Sequence, residues 1–486
     1  MVEGILGANV SVGTPGAPTR GRVILLFGAV LALSSVQAST VGAVAPQLEH
    51  AFHIGNTRIG LLSSVALLVA ALFVIPVGLL VDRFKRIPML SVSIVLWSIA
   101  SALGAFATSY DMLLFTRLAL GAVAATAGPA IASLTGDYFP ARDRGRVYSY
   151  ILGGEVAGTA AGFIISGSLA SLISWRAAFV LLAVPGLFLA RSLWRTIPEP
   201  PRGGQSRLES DEGDRDVSPT AGLAHEAVRR RGVEPNPALV LREDPDRMRL
   251  ASAVRYTLRV PTNRDLIIGS ALGYFFLSGL QTFALLFIRG HYHTSQGTAE
   301  LVLALLVVGA VVGTLLAGRL TDVLLRRGVL GARVFVPAVC FLGSAGLLVP
   351  GLLSNSLWSA IWFDVGGAAL LSAANPGLDA ARLDIMPARL WGRAEGARTF
   401  LRSLAQALAP LAFGGVSDLI AGIAPTQVPV GTHLAVISPS EARGLEITFL
   451  VMLSSLVLAG LFLLRARRTY ARDVATAAAS QAQSTP

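Results

Sequence analysis

Asp137-Tyr-Phe-Pro140-Ala141-Arg142-Asp-Arg-Gly145-Arg146 recurs downstream as Asp384-Ile-Met-Pro387-Ala388-Arg389-Leu-Trp-Gly392-Arg393, with six of ten positions identical at an offset of 384 − 137 = 247. At that offset Pro129 also falls on Pro376, so the chain contains two copies of one unit. Each copy of the motif closes a long apolar run. Leu118 to Gly136 precedes the first and Leu357 to about Asp379 the second. Working outward, apolar runs extend from Val23 to Leu48, Ile59 to Val81, Ile87 to Tyr110, Val156 to Trp175 and Ala177 to about Ile197. Beyond a polar interval come Leu266 to Ile288, Leu301 to about Leu325, Val334 to Leu353, Ala397 to about Ile420 and Ile447 to Leu464. A membrane span needs about 20 mostly apolar residues, so the expectation is twelve spans, as six plus six.

Composition agrees. Of 486 residues, 53% are hydrophobic and only 14% charged, against roughly a quarter charged in a soluble globular domain. The net charge of 40 − 29 = +11 is spread between apolar runs rather than gathered in a patch, which argues against nucleic acid as a partner. The single cysteine, Cys340, lies in an apolar run and excludes both a disulfide framework and a cysteine metal site. Lys85 is the only lysine, so no phosphate-cradling loop of the Gly-x-x-x-x-Gly-Lys type exists and ATP-driven transport by this chain alone is excluded. No catalytic constellation stands out. The chain reads as no enzyme, with no cofactor and no metal; His291 and His293 are a weak metal signal better read as a solvated loop.

Alternate short loops carry Arg83, Lys85 and Arg86; Arg142, Arg144 and Arg146; Arg326, Arg327 and Arg333; and Arg389 and Arg393, with Arg465, Arg467 and Arg468 after the last span. The positive-inside rule then places both termini and the central interval in the cytoplasm. No removable signal peptide is expected, and the first span targets the chain. Abundant Arg, Ala, Gly and Val over Lys points to a GC-rich bacterial genome and hence to a multi-pass protein of the inner (plasma) membrane. The expected domains are a cytoplasmic tail at 1–21, a six-helix half at 22–197, a mostly disordered linker at 198–262, a second half at 263–468 and a tail at 469–486. Within the linker, Arg247 to Arg259 alternates Arg with Met248, Leu250, Val254 and Leu258. It reads either as an amphipathic helix at the inner membrane surface or as a solvated helix leading into the seventh span.

Gly78-Leu-Leu-Val-Asp82-Arg83-Phe-Lys-Arg86, repeated as Gly318-x-x-x-Asp322 with Arg326, resembles the signature loop of the major facilitator superfamily. Ser174-Trp175-Arg176-Ala-Ala-Phe179 resembles another of its marks. Asp137-Tyr-Phe-Pro140, Pro185-Gly186 and Glu199-Pro200-Pro-Arg202-Gly203 are similar to the bacterial Spinster-like branch. The resemblance implies an all-α fold of two six-helix halves rocking about a midplane site, with cargo such as lysophospholipids or sphingoid lipids. Gln37-Ala38 and Ala124 stand where that branch carries Asp-Arg and Glu, removing carboxylates used for proton coupling.

Two kinds of residue could carry function. At the loops, Gly78, Asp82, Arg83, Arg86, Gly318, Asp322 and Arg326 could form a latch. A carboxylate there accepts from backbone N–H groups at a neighbouring helix start while its Arg neighbours bridge nearby acids. The alternative is that these are only topology-setting charges. Inside the spans lie Arg117, Glu155, Asp364 and Arg402, and intramembrane charges default to function. The 247 offset relates Arg117 to Asp364 and Glu155 to Arg402. Depth permits pairing within each set, about 10 Å from the outer surface for the first and about 13 Å from the inner one for the second, at 1.5 Å per residue. Glu155 is the first choice for a titrating coupling group and Asp364 the second; the alternative is a permanently ionised structural pair. In superfamily architecture spans one, four, seven and ten line the cavity, where this sequence offers Ser35, Gln37, Thr126, Tyr274, Phe276, Gln281 and Asn375. Aromatic surface with a few polar groups suits an amphipathic organic or lipid substrate. Gly154-x-x-x-Gly158-x-x-x-Gly162 reads chiefly as close helix packing and only weakly as an antiporter motif.

The expected function is therefore ion-gradient-driven export of an amphipathic compound or lysolipid, with protons as the coupling ion and a monomer as the working unit. A multidrug or metabolite antiporter, or a facilitator without proton coupling, is the alternative. A transporter-like receptor or scaffold stands third.

Overall fold

The bilayer core holds no water to satisfy peptide groups, so each apolar run closes its backbone hydrogen bonds within itself, as a helix. The computed structural model describes residues 19–139, 141–202, 219–241, 248, 250–387, 390–422 and 439–483, and among them all regular structure is helical. Among the described residues, twelve helical spans are long and apolar enough to cross a membrane. The first six are built from α1 (Arg20–Ala43) with the short α2 (Ala45–Phe52), α3 (Asn56–Arg83), α4 (Arg86–Ala105), the broken pair α5 (Tyr110–Ala124) and α6 (Ala127–Tyr138), α7 (Ala141–Leu172) and α8 (Trp175–Thr196). Two helices follow between the halves, α9 (Pro219–Arg230) and α10 (Leu250–Arg259). The second six are α11 (Pro261–Tyr292), α12 (Gln296–Arg326), α13 (Ala332–Leu352), α14 (Leu357–Asp384), α15 (Trp391–Ala421) and α16 (Pro439–Gln483).

Local chemistry sets the breaks. Pro46 occupies the first turn of α2, where its missing N–H costs nothing. Pro129 cannot donate to the carbonyl of Ala125, and the fourth span is interrupted at Ala125 and Thr126; its repeat counterpart Pro376 is carried inside an unbroken α14. Ser174 caps α8 by accepting from Arg176 N–H, while the Arg176 guanidinium lies 4.3 Å over the Trp175 ring and donates to the Ala107 carbonyl at 3.1 Å. That is what the Ser-Trp-Arg stretch does in the fold.

Packing within the first half depends on α7 lying close against α1. A Cβ at Gly154, Gly158 or Gly162 would run into the backbone of Gly28, Ala32 and Val36 respectively, so the small-residue stripe is a packing face. The second half is filled by aromatics: Phe276, Phe413 and Phe449 meet edge to face at 5.5–6.5 Å, with Phe287 at 5.4 Å from Phe449. Large apolar side chains such as Phe188, Leu315 and Trp362 point outward, as a lipid-facing surface requires.

Among the described residues, the closest approaches of the two halves lie at one end. At the end remote from the basic loops, hereafter the far end, Gly60 approaches the Pro410 backbone and Gly414 the Asn56 backbone closely enough to exclude any side chain. Eight hydrogen bonds join the halves at this end.

At the basic end the interval between the halves is more ordered than its composition implies. α9 buries Ala224 and Val228, Asn236 N–H donates to Thr476 at 2.9 Å, and Leu241 N–H donates to Ser480 at 3.0 Å. The reason is α16, which does not stop at the membrane surface but runs 45 residues to Gln483 and offers a side for the interval to fold on. α10 buries Ala253, Tyr256 and Thr257 against the protein and leaves Arg255, Leu258 and Arg259 outward. Residues 1–18 of the expected tail at 1–21, and the stretches 203–218 and 242–247, lie outside the described residues.

Candidate functional site: the space between the halves

Glu155 projects from α7 into the space between the halves, and Arg402 on α15 of the other half is the charged side chain that acts on it. The two do not form an ion pair. Arg402 instead stacks on Tyr274 of α11, its guanidinium carbon 4.5 Å from the ring centroid, and its Nε has no hydrogen-bond partner. Around the same tyrosine, Asp379 of α14 is held by Arg398 at 3.0 Å and Arg382 at 3.7 Å. The expected facing of Glu155 and Arg402 is therefore present, as an electrostatic relation across a gap.

Arg117 and Asp364 do not pair. Arg117 is buried inside the first half, stacked 4.6 Å over Phe179 and beside Gly104, with two guanidinium nitrogens lacking hydrogen-bond partners. Asp364 lies inside the second half against Gly351 and acts on Tyr292. Gly104 and Gly351 are themselves 247 apart. Repeat-equivalent residues point the same way within their own halves, so a shared depth does not bring them together when that direction is inward.

Two loop arginines, Arg86 and Arg333, make ion pairs inside their own halves. Arg86 bridges Asp137, Glu199 at 2.8 Å and Ser133 at 3.0 Å, and the Glu199 carboxylate accepts from Ile87 N–H at 2.7 Å at the start of α4. In the second half Arg333 bonds Asp384, which also accepts from Tyr470. Both arginine–aspartate pairs span 51 residues and both fall on the 247 offset, so the structural counterpart of Arg86 is Arg333 and not Arg326. The seven-residue shift in offset is taken up by a longer end of α12 and a longer loop, 327–331, where the first half has only 84–85. All these contacts stay within one half, where they fasten helix ends. The side chains of Asp82, Arg142, Arg144, Arg146 and Arg393, and the whole of Arg389, lie outside the described residues. Arg83 is exposed, and Gly78 and Gly318 have open space or only distant contact beside them.

A latch between the halves stands at the far end, and sequence reasoning missed it. The Asp418 carboxylate of α15 accepts from Asn56 N–H at 3.2 Å, Thr57 N–H at 2.8 Å and Thr57 hydroxyl at 2.5 Å, capping α3 of the other half. Glu300 of α12, buried, accepts from Ser168 at 2.9 Å, and Gln296 donates to the Gly167 carbonyl at 2.5 Å while accepting from Gln47 at 2.6 Å. The available signal was a carboxylate at the end of one span opposite an Asn-Thr helix start in another, which no local pattern links.

Of the expected cavity residues, Tyr274 meets Arg402, and Ser35, Gln281 and Asn375 are half-buried on spans one, seven and ten. Gln37 is buried with its Nε2 unpartnered, and Thr126 is buried at the break of the fourth span. Phe276 is not in the cavity. It is packed into the aromatic core of the second half, two residues and about 200° round the helix from Tyr274. His291 is stacked on Phe287, contacts the Ser354 carbonyl at 3.0 Å and lies 3.5 Å from Glu446; His293 ends α11 in a left-handed conformation.

Two packed six-helix bundles with charges facing across the gap between them define a membrane protein of the major facilitator type. Residues 25–410 match the family model of the Major Facilitator Superfamily, and the chain belongs to that superfamily. Its fold is similar to the crystal structures of a bacterial homolog to the human lysosomal transporter Spinster in two inward-facing conformations. The unoccupied one matches with a TM-score of 0.72 at 22% identity over 93% of this chain and 98% of the other. The occupied one matches with a TM-score of 0.73 at 22% identity over 95% and 99%. Among curated proteins, the uncharacterized transporter YybO of Bacillus subtilis (strain 168) is 26% identical over 38% of this chain and 42% of its own length. The 4-hydroxybenzoate transporter PcaK of Pseudomonas aeruginosa is 27% identical over 39% and 42%. The quinolone resistance protein NorB of Staphylococcus aureus (strain JH9) is 30% identical over 37% and 39%. Each of these likenesses spans about two fifths of either chain.

Proposed function

We propose that this protein is a secondary active transporter that works by alternating access. In this reading its halves rock about the space between α7 and α15, and it exports an amphipathic organic compound or lysolipid on a proton gradient through Glu155. The observation that carries this is the pairing of a far-end contact with a charge relation across the gap. The halves are fastened by Asp418 and Glu300 at the far end, while Glu155 and Arg402 face each other with no ion pair to lock them. With the basic loops taken as cytoplasmic, the open end faces the cell interior and Glu155 is reached from that side. A carboxylate whose cationic neighbour sits on the other half changes its hold on a proton as the halves move, which is what coupling needs.

A second reading, an antiporter or facilitator with no proton step, is favoured by Gln37 and Ala124, which replace the carboxylates of the resembled branch. PcaK and NorB, named for 4-hydroxybenzoate and quinolone resistance, show that relatives of this kind handle small organic compounds. Purified protein in liposomes with a trapped pH dye separates the readings. Lysophospholipids and amphipathic drugs are added in turn under an imposed proton gradient, with Glu155→Gln as control. Ligand-dependent proton flux lost in the variant is the expected result. Ligand movement without proton flux overturns the role of Glu155 and leaves a facilitator.

A further inference from the structure

We propose that Arg402, held on the face of Tyr274, is the anion-binding residue of the cargo site, and that the cargo is an amphiphile carrying a carboxylate or phosphate group that displaces Glu155. This rests on the transport reading above and names the cargo's charge within it.

Charge bookkeeping in the gap points this way. The charged groups that act on Tyr274 are two arginines, Arg398 and Arg402, and two carboxylates, Asp379 and Glu155. Asp379 is shared by Arg398 and Arg382, so Arg402 is the guanidinium left without a contact ion pair. An anionic cargo can pair with Arg402; an uncharged one cannot, and a cationic one is repelled by it.

Geometry gives the same answer. Stacking on Tyr274 occupies one face of the guanidinium plane and leaves its N–H edge free, and the buried Nε has no acceptor. That edge is a fork matched to a carboxylate or phosphate, which accept two parallel hydrogen bonds. Glu155 already acts on Arg402 from the opposite half without contacting it, so its carboxylate is the competitor that any anion must outbid. The ring of Tyr274 offers apolar surface beside the charge, suited to the body of an amphiphile.

The test measures binding, not transport. Full-length protein in nanodiscs of phosphatidylcholine is titrated with 1-pyrenebutyrate and with its uncharged amide, empty nanodiscs serving as baseline. The carboxylate is expected to bind about tenfold or more tightly than the amide, the difference a charge-assisted fork supplies. Arg402→Gln should remove that difference. Glu155→Gln should tighten the carboxylate and leave the amide unchanged, a readout that does not depend on the arginine variant folding. Equal affinity for the two probes, discrimination that survives Arg402→Gln, or failure of both probes to bind overturns the proposal. Its failure is separable from that of the transport reading. If uncharged amphiphiles drive Glu155-dependent flux in the dye assay while the carboxylate shows no preference here, the transporter stands and the anion site falls.

Discussion

Glu49 on α2 stands at the far end near Glu441 of α16 and Asp418 of α15. Burial, and then the charges of Glu441 and Asp418, push its carboxyl well above the ordinary carboxylate range. A group whose proton is held more tightly in the closed arrangement than when separated favours closure while protonated. The far end is therefore expected to close more firmly at low pH, and the benefit is lost as pH rises through the raised value. Glu49→Gln mimics the protonated form. Hydrogen exchange at the Asn56 and Thr57 amides, which Asp418 accepts, should be slower in this variant than in wild type at pH 7.5 and the same at pH 5. Equal exchange at both values would show that Glu49 does not titrate in that range. None of this was readable at the residue level. Glu49 lies in the other half of the sequence from Asp418 and Glu441 and meets them only through packing of the halves. Glu155 and Arg402 were readable, because a charge inside an apolar run announces itself, and their shared offset told which faces correspond.

Arg333, Asp384 and Tyr470 tie α13, α14 and α16 together in a setting with almost no exposure of the ion pair. Removing one member leaves an uncompensated buried charge, so Arg333→Gln or Asp384→Leu is expected to cost about 3–5 kcal/mol. Replacing both, Arg333→Met with Asp384→Leu, should recover most of that loss, because the desolvation cost disappears with the charges. Unfolding followed by intrinsic fluorescence in detergent gives all three numbers; a double variant as unstable as the singles would mean the pair contributes more than it costs. A second element-scale expectation concerns the stripe on α7. Gly158→Leu should push α7 off α1 and abolish a well-defined melting transition, since the obstructing atoms are the backbone of Ala32. Elements were the most legible scale. Twelve apolar runs became twelve spans, because a span's length and polarity are set by the bilayer. What escaped was the ordered interval between the halves, which is polar by composition and folds only because α16 extends beyond its span to receive it.

Across the molecule, the halves are repeat copies that meet through their far ends, and the central claim is that they rock as bodies. The repeat was legible from one motif and its offset; which end is closed was not, since that depends on contacts between halves rather than on either sequence copy. Asp418 accepts three hydrogen bonds from the opposite half, so Asp418→Asn is expected to weaken far-end closure by about 1–3 kcal/mol. The decisive measurement is spin-label distances at both ends in the same background, with Cys340 replaced by Ala. One label pair sits at Ala51 and Ala421, the other at Lys85 and Arg327. Relative to the parent, Asp418→Asn should lengthen the first distance and shorten the second in the same population of molecules. A far end that opens while the Lys85–Arg327 distance stays fixed would mean local fraying of α3 from α15, and would contradict alternating access by rocking.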